Sequence, residues 1–349
     1  MPSQTRTSKK AKELSALLSG KKSMLIVMQD NPDPDAVAAA GALRQIAKTQ
    51  AGISCSLAHG GAVGRAENRA LVRYLSLNLR PISDVRAEQF DLVCMVDTQP
   101  QTGNNSLPPD IKVNAIFDHH PMRKESRPAD FTDVRKAYGA TSTILYEYLK
   151  EFGIEVDTAL ATALCYGIRS DTQDLGRDST QADIDAYVAL YPLANKRALG
   201  RIQREPEPVA YYRTLSRGLT RARIYGRALV APLGNLDCPE SAAEMADLLL
   251  RCETVDWALT YGIYKGRMYL SLRTNDRETN VGQMMVSMVR GLGRGGGHES
   301  AAGGQVDVAG LDTARRQELD DILLERFLKR LKISGRKGRS LLARGQQDG

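Results

Sequence analysis

The chain has 349 residues, of which 42% are apolar and 26% charged, an ordinary balance for a globular protein with room for two domains. No uninterrupted apolar stretch approaches the roughly 20 residues that span a bilayer, and the N-terminus lacks the apolar segment of a secretory signal. We therefore predict a cytoplasmic protein without a membrane partner. The five cysteines are widely spaced and form no Cys-x-x-Cys pair, which favours free thiols over disulfides or a zinc site.

The net charge of +7 is concentrated at the two ends of the chain. Residues 1–22 hold six basic and one acidic side chain, and residues 329–349 hold seven and one, whereas residues 23–328 hold 35 basic and 39 acidic side chains. We interpret 1–22 and 333–349 as basic tails, either solvated or in weak contact with nucleic acid. The acidic body fits a metal site as well as a solvated surface.

Residues 23–195 alternate between apolar runs of strand length and helical patterns. Strands are predicted at 24–28, 53–57, 92–96 and 113–117, and helices at 36–49, 67–75, 141–151 and 158–168. This alternation is typical of a doubly wound, mostly parallel α/β sheet domain. Residues 196–221 follow with a strong excess of basic side chains and predict an exposed linker helix, either simply solvated or carrying a basic face that tracks the substrate.

Residues 222–332 predict a smaller α/β C-terminal domain. Strands are expected at 227–232 and 267–273, and helices at 242–250, 281–288 and 314–331. The stretch Gly293-Arg-Gly-Gly-Gly-His298 is the most glycine-dense of the chain. Because glycines let backbone N–H groups approach an anion, we predict substrate phosphate contacts at Gly295, Gly296, Gly297, His298 and Arg273. A flexible glycine-rich loop is the alternative.

Asp and His follow the predicted elements of the first domain at four places: residues 33 and 35, residue 97, residues 118–120 and residue 171. Open α/β sheets place their chemistry at the carboxyl ends of strands, and carboxylates with imidazoles suit Mn²⁺ or Mg²⁺. Asp35 could instead cap the helix predicted to begin at Ala36, and Asp97 could be a turn residue. A structural explanation is harder for Asp118-His-His120, because the chain has only four histidines.

Together these residues predict a site for two divalent ions, because several carboxylates are needed to offset the repulsion between two close cations. Such a pair can activate a water and bind the oxygens of an in-line phosphoryl displacement. The chain has neither the Gly-x-x-x-x-Gly-Lys-[Ser/Thr] motif of P-loop ATPases nor a Gly-x-Ser-x-Gly nucleophile motif.

The motifs, taken in order, resemble those of the DHH phosphoesterase superfamily. They are Asn31-Pro-Asp-Pro-Asp35, Val96-Asp-Thr98, Asp118-His-His120, Ser170-Asp-Thr172, and Gly-Gly-Gly-His298 with Ser271-Leu-Arg273 upstream. The resemblance covers residues 22–330, and the domain pairing is similar to the nanoRNase/pAp phosphatase branch. It implies hydrolysis of short oligonucleotides, nucleoside 3′,5′-bisphosphates or linear and cyclic dinucleotides. The type II pyrophosphatases share the first domain but lack the glycine-rich loop.

The resemblance also implies roles for single residues and a metal site in the cleft between the domains. Two ions, Mn²⁺ or alternatively Mg²⁺, would be held by Asp33 with Asp97, and by Asp35, Asp97, His119 and Asp171. Asp118 would orient the catalytic histidines, and His120 would lie near the scissile phosphate. Arg273 and residues 295–298 would bind the far end of the substrate.

One position departs from the family pattern. The family usually has a histidine three residues before the motif proline, as a ligand of the first ion, and this chain has Gln29 there. An amide oxygen is a poorer donor to Mn²⁺ than imidazole. A nucleotide-binding regulatory protein with weakened catalysis is therefore an alternative, and the basic tails suggest a second one, an exonuclease on longer single strands. A homodimer is also compatible with the sequence.

Overall fold

The computed structural model describes residues 2–176, 178–276, 278–297, 300–335 and 337–342, with side chains from Arg6 onward. The chain divides into two compact units between Pro206 and Glu207. The predicted linker helix 196–221 is two helices in the structure, one on each side of that division.

In the first unit the sheet consists of six strands: β1 Ser23–Val27, β2 Ser54–His59, β3 Leu79–Pro81, β4 Leu92–Val96, β5 Ala115–Asp118 and β6 Phe131–Val134. The helices are α1 Pro2–Leu18, α2 Pro34–Ala51, α3 Ala66–Tyr74, α4 Thr141–Glu151, α5 Thr158–Asp171, α6 Gln181–Leu190 and α7 Lys196–Gln203.

The strand order is β3-β2-β1-β4-β5-β6, and every neighbouring pair is parallel. The predicted parallel α/β domain is confirmed. The central strands β1 and β4 are almost entirely buried, because α-helices cover one face of the sheet and the segments 82–90 and 107–113 cover the other. The edge strands β3 and β6, of three and four residues, are too short to leave a hydrophobic pattern, and the sequence did not predict them.

The expectation of a tail at residues 1–22 is wrong for α1, which packs on the first unit. Ala11, Leu14 and Leu18 are buried in its core, and their spacing defines one face of a helix. Arg6 donates to the Asp133 carboxylate at 2.8 Å. The basic residues lie on the other faces of this helix. The prediction relied on the excess of basic residues and overlooked the apolar face.

In the second unit the sheet has seven strands: β7 Arg223–Tyr225, β8 Ala228–Asn235, β9 Trp257–Tyr264, β10 Arg267–Thr274, β11 Gly293–Gly297, β12 Ala301–Asp307 and β13 Arg339–Ser340. The helices are α8 Val209–Arg221, α9 Ser241–Leu249, α10 Val281–Met288 and α11 Thr313–Arg330. The order is β11-β12-β10-β9-β8-β7-β13, with only β8–β9 parallel among these described strands. The predicted smaller α/β domain is confirmed.

The C-terminal stretch 333–349, predicted to be a basic tail, is partly structured. Arg339 and Ser340 form β13, which pairs with β7. Residues 343–349 lie outside the described residues.

The glycine-rich stretch is a strand rather than a loop. Residues Gly293–Gly297 form β11, antiparallel to β12. A Cβ on Gly295 would lie 2.9 Å from Cγ of Met285, and one on Gly304 would lie 2.7 Å from its Sδ. The glycines therefore allow helix α10 to pack directly on these two strands. His298 lies outside the described residues.

Candidate metal centre

The first carboxylate pair lies where β1 leads into α2. Asp33 is the N-cap of this helix, with its Oδ1 accepting from the Ala36 amide at 2.9 Å. Pro34 is the first helical residue, a position that suits proline because no hydrogen bond is lost there. The cap that the sequence allowed at Asp35 is thus at Asp33.

Asp35 is free to serve the site, and it is completely buried. Its two oxygens accept from the amides of Thr141 and Ser142, at 2.6 and 2.8 Å. These amides belong to the first turn of α4, which has no backbone partners for them within the helix. The helix start therefore fixes the orientation of the Asp35 carboxylate.

Asp97 follows β4 in a left-handed backbone conformation, with φ of 59°. For a residue other than glycine this conformation costs about 1–2 kcal/mol of free energy. Its amide donates to the Phe117 carbonyl at 2.9 Å, and its Oδ1 accepts from the Thr141 hydroxyl at 2.9 Å. The strained turn thus places a fully buried carboxylate beside Asp35 and the end of β5.

The two histidines after β5 have different partners. His120 Nδ1 lies 2.6 Å from Oδ1 of Asp118, whereas His119 Nδ1 lies 3.2 Å from the Tyr138 carbonyl oxygen. Asp118 therefore orients His120 alone, and Tyr138 supplies the corresponding contact for His119. The other oxygen of Asp118 accepts from Nε2 of Gln99 at 2.6 Å.

Gln99 is a site residue that the sequence reasoning missed. It is fully buried, and its Oε1 accepts from the Ser126 hydroxyl at 2.7 Å. Its position two residues after Asp97, in the same strand-end turn, was the available signal.

Four of the predicted ligands converge: Asp35, Asp97, His119 and Asp171 each place one ligand atom within 4.8 Å of all the others. His119 Nε2 lies 3.2 Å from Oδ2 of Asp171 and 3.5 Å from Oδ1 of Asp97. Asp171 reaches this group from the last residue of α5 and not from a strand. Asp97, His119 and His120 form an overlapping group within the same distance limit.

The donor set fits a divalent cation. His119 Nε2 is buried and lies 3.2 Å from Oδ2 of Asp171 without the alignment of a hydrogen bond, although buried polar atoms are nearly always satisfied. With Nδ1 donating to the Tyr138 carbonyl, the Nε2 lone pair points toward the carboxylates, as in metal-bound histidines. Mn²⁺ accepts both carboxylate and imidazole ligands, so it suits this set of three carboxylates and one imidazole. Mg²⁺ prefers oxygen ligands and would be bound mainly by the carboxylates.

The carboxylates hold protons strongly when no cation compensates their charge. Burial and the nearby Asp171 carboxylate raise the pKa of Asp35 to about 7, and burial raises the pKa of Asp97 well above its usual value. Burial alone would lower the pKa of His119, but the carboxylates of Asp171 and Asp35 overcome it and raise that pKa to about 10. Cation binding at this site must therefore displace protons.

The other predicted ion position has different contacts. Gln29 Nε2 donates to Oδ2 of Asp33 at 2.9 Å and lies 3.4 Å from Oδ2 of Asp97. The glutamine thus presents N–H donors, and not its carbonyl oxygen, to both carboxylates. The opposite amide orientation would place that oxygen against two acceptors. Because Asp33 also caps α2 through its other oxygen, both of its oxygens already accept hydrogen bonds.

The predicted substrate residues that are described in the second unit lie on strands β10 and β11 of one sheet, with β12 between them. Arg273 on β10 pairs with Asp247 of α9, with Nε 2.7 Å from Oδ1. Gly295 faces α10, whereas Gly296 and Gly297 are exposed. The backbone of the last two is therefore the accessible part of the predicted phosphate site.

These observations define an α/β protein with a carboxylate–histidine site for a divalent cation beside a parallel sheet. Residues 23–168 match the family model described as "DHH family, N-terminal domain". The first unit is therefore similar to the N-terminal domain of the DHH family over these residues.

Among curated proteins, the chain is 30% identical over 285 residues to "Uncharacterized protein MJ1633" of Methanocaldococcus jannaschii, covering 81% of this chain and 58% of that protein. The chain covers less than two thirds of the length of the first curated relatives it matches. No helix among the described residues combines the length and hydropathy required to cross a membrane.

Two solved structures share the fold. An exopolyphosphatase-related protein from Bacteroides fragilis superposes with a TM-score of 0.72 at 15% identity, covering 93% of this chain and 98% of that chain. RecJ from Thermus thermophilus, solved in complex with Mn²⁺, gives a TM-score of 0.56 at 16% identity, covering 93% of this chain and 55% of that chain.

Proposed function

We propose that this protein is a metal-dependent hydrolase of phosphoester bonds. The observation that carries the proposal is the convergence of Asp35, Asp97, His119 and Asp171, with an unpartnered imidazole nitrogen at the centre. When bound, the divalent ion supplies Lewis-acid polarisation of the phosphate and activation of the attacking water. The match of residues 23–168 to the DHH family model supports this reaction class.

The protein's own residues would then position the substrate and handle its charge. The hydrogen bond from His120 overcomes the effect of burial and lowers the pKa of Asp118, so this carboxylate stays ionised and holds the His120 ring through Nδ1. We propose that the opposite side of that ring, with Nε2, contacts the scissile phosphate and stabilises charge on its oxygens.

For the substrate we propose short nucleotides: oligonucleotides of a few residues, nucleoside 3′,5′-bisphosphates, or linear and cyclic dinucleotides. The motif order resembles the nanoRNase/pAp phosphatase branch, and the exposed Gly296 and Gly297 on the edge strand β11 leave room for a phosphate to approach the backbone. Hydrolysis would require no large single-strand platform, which agrees with the five Phe and one Trp of the chain.

For the cation we propose Mn²⁺, with Mg²⁺ as the alternative, because the donor set suits both. If two ions bind, the ion at Asp33 and Asp97 would require Gln29 to turn its carbonyl oxygen toward it. The cytoplasmic location and a homodimer stay predictions.

A nucleotide-binding regulatory protein with weak catalysis is the second candidate. It is favoured by the contact of the Gln29 amide with both Asp33 and Asp97, which satisfies these carboxylates without an ion.

A substrate panel separates the two candidates. The full chain would be incubated with Mn²⁺ or Mg²⁺ and with a labelled dinucleotide, a pentanucleotide, a nucleoside bisphosphate, pyrophosphate or a 30-residue single strand. The hydrolase proposal predicts metal-dependent product release from the short nucleotides, abolished by chelation. Tight binding of the dinucleotide without turnover under both metals would favour the regulatory protein, and preferential cleavage of the long strand would contradict the proposed substrate class.

A further inference from the structure

The segment Tyr138–Thr143, which enters α4, contacts three of the four ligands through polar atoms. The carbonyl of its first residue faces His119 Nδ1 at 3.2 Å. Two consecutive amides at the start of the helix donate to Asp35 at 2.6 and 2.8 Å. The Thr141 hydroxyl donates to Asp97 at 2.9 Å. The position of this short segment therefore sets the orientation of three ligand side chains at once.

A buried carboxylate that is not one of the four ligands also binds this segment through hydrogen bonds. Asp183 of α6 is fully buried. Its Oδ2 accepts from the Gly139 amide at 2.9 Å, and its Oδ1 accepts from the Thr143 hydroxyl at 2.6 Å. Toward its own helix, Asp183 accepts from the amide and the hydroxyl of Thr180, at 2.8 and 2.7 Å.

The packing around Gly139 shows how closely the segment is held. A Cβ at this position would lie 2.6 Å from Cγ2 of Thr172 and 3.1 Å from Oδ2 of Asp183. Thr172 directly follows Asp171, the fourth ligand, which ends α5. The backbone at Gly139 is thus confined between the Asp183 carboxylate and the residue next to that ligand.

We infer that Asp183 is a positioning residue for the metal centre, acting on His119, Asp35 and Asp97 through the segment Tyr138–Thr143. The inference rests on the proposed metal centre. Groups that orient ligands typically contribute about 10–100-fold to metal affinity, because a carboxylate or imidazole that rotates freely must be ordered when the ion binds.

A merely structural role is the competing explanation, since Asp183 also caps α6 through Thr180. The two sides of this carboxylate can be separated experimentally. Thr143→Val and Thr180→Val each replace one hydroxyl that donates to Asp183 with a methyl group of the same shape. The first removes the donor of the segment at Oδ1. The second removes one of three donors at Oδ2, where the amides of Gly139 and Thr180 remain, so the second is the matched control.

The measurement is Mn²⁺ affinity of the full chain, from the electron paramagnetic resonance signal of free Mn²⁺, together with the thermal unfolding midpoint. We expect both threonine variants to lower the midpoint, but only Thr143→Val to lower the affinity, by about tenfold. Thr143→Ser, which restores a hydroxyl donor, should recover the affinity. Asp183→Ala removes both oxygens that hold the segment and should lose more, up to about 100-fold.

Each other outcome has a definite meaning. Wild-type affinity in Thr143→Val would overturn the positioning role, and equal losses of affinity in both threonine variants would assign Asp183 to general stability and overturn it as well. Failure of the wild-type chain to bind Mn²⁺ or Mg²⁺ would instead contradict the metal centre itself, and the positioning role with it.

Discussion

Two groups of carboxylates lie beside the parallel sheet, one around His119, on the ligand side, and one around Gln29, on the glutamine side. They differ in what lies against the negative charge of the carboxylates. On the ligand side, Asp35, Asp97 and Asp171 surround an imidazole nitrogen without a hydrogen-bond partner. On the glutamine side, the Gln29 amide lies between Asp33 and Asp97 and donates toward both. The first side requires a cation to balance its charge, whereas the second is already satisfied by neutral hydrogen bonds.

This difference shows that proximity of carboxylates alone does not define an ion site. Asp33 and Asp35 are two residues apart in sequence, but Asp33 uses one oxygen as a helix cap, while Asp35 is held by the amides of another helix. The same sequence motif therefore contributes one carboxylate held beside the other ligands by a distant helix, and another that caps its own helix and accepts from the Gln29 amide.

The largest loss of Mn²⁺ affinity is expected from substitution of Asp97, which lies beside both His119 and Gln29. Asp97→Asn keeps the shape but removes the charge, so we expect Mn²⁺ affinity to fall by more than the roughly 100-fold attributed to residues outside the ligand set, and hydrolysis to be lost. The control is Asp130→Asn, which alters an exposed carboxylate paired with Lys112. Full turnover in Asp97→Asn would contradict the metal centre.

The pH dependence of ion binding is the next largest effect. Between pH 8 and pH 6, ion binding must displace the proton of His119, whose pKa is raised to about 10, and increasingly that of Asp35, whose pKa is raised to about 7. Because both pKa values are raised, protons compete more strongly as the pH falls. Each displaced proton makes the affinity about tenfold weaker per pH unit.

Titration calorimetry in buffers of different ionisation enthalpy checks this expectation. It should show net release of at least one proton per ion near pH 7, because the pKa of His119 is raised to about 10. Binding without proton release would show that the His119 and Asp35 side chains are not ligands.

A smaller effect, on the number of bound ions, is expected when histidine replaces Gln29. In Gln29→His, a neutral imidazole can offer a lone pair to a cation beside Asp33 and Asp97, so we expect the number of tightly bound Mn²⁺ ions to rise from one to two. The count follows from equilibrium dialysis with metal analysis. Gln317→His, on the exposed surface of α11, is the control. Two tight ions in the wild-type chain would show that Gln29 already serves as a ligand.

The smallest effect is expected from Asp33→Asn. Asparagine caps helices about as well as aspartate, but its NH₂ would lose the hydrogen bond from the Gln29 amide, so the free energy of unfolding should fall by about 1 kcal/mol. The ligand side would be intact, and its Mn²⁺ affinity should stay close to that of the wild-type chain in the same electron paramagnetic resonance assay. A loss comparable to that of Asp97→Asn would place Asp33 among the ligands of the tightly bound ion.

The sequence by itself determined the central strands, several of the helices and the order of the site residues. The apolar runs of β1, β4 and β5 are local signals that need no knowledge of distant contacts, and the residues that follow them, such as Asp35, Asp97 and His119, meet at the carboxyl edge of a parallel sheet. Helix α4 was predicted at its observed bounds for the same reason. The ordered motifs then indicated the family.

Only the tertiary structure decided which of these residues share a site and what holds them. Asp35 is oriented by an amide 106 residues later in the chain, and Asp183 by a hydroxyl 40 residues earlier. No local period encodes such hydrogen bonds, because they depend on how helices pack on the sheet. The role of Gln29 was open for the same reason, since the direction of its amide depends on the carboxylates that the fold brings around it.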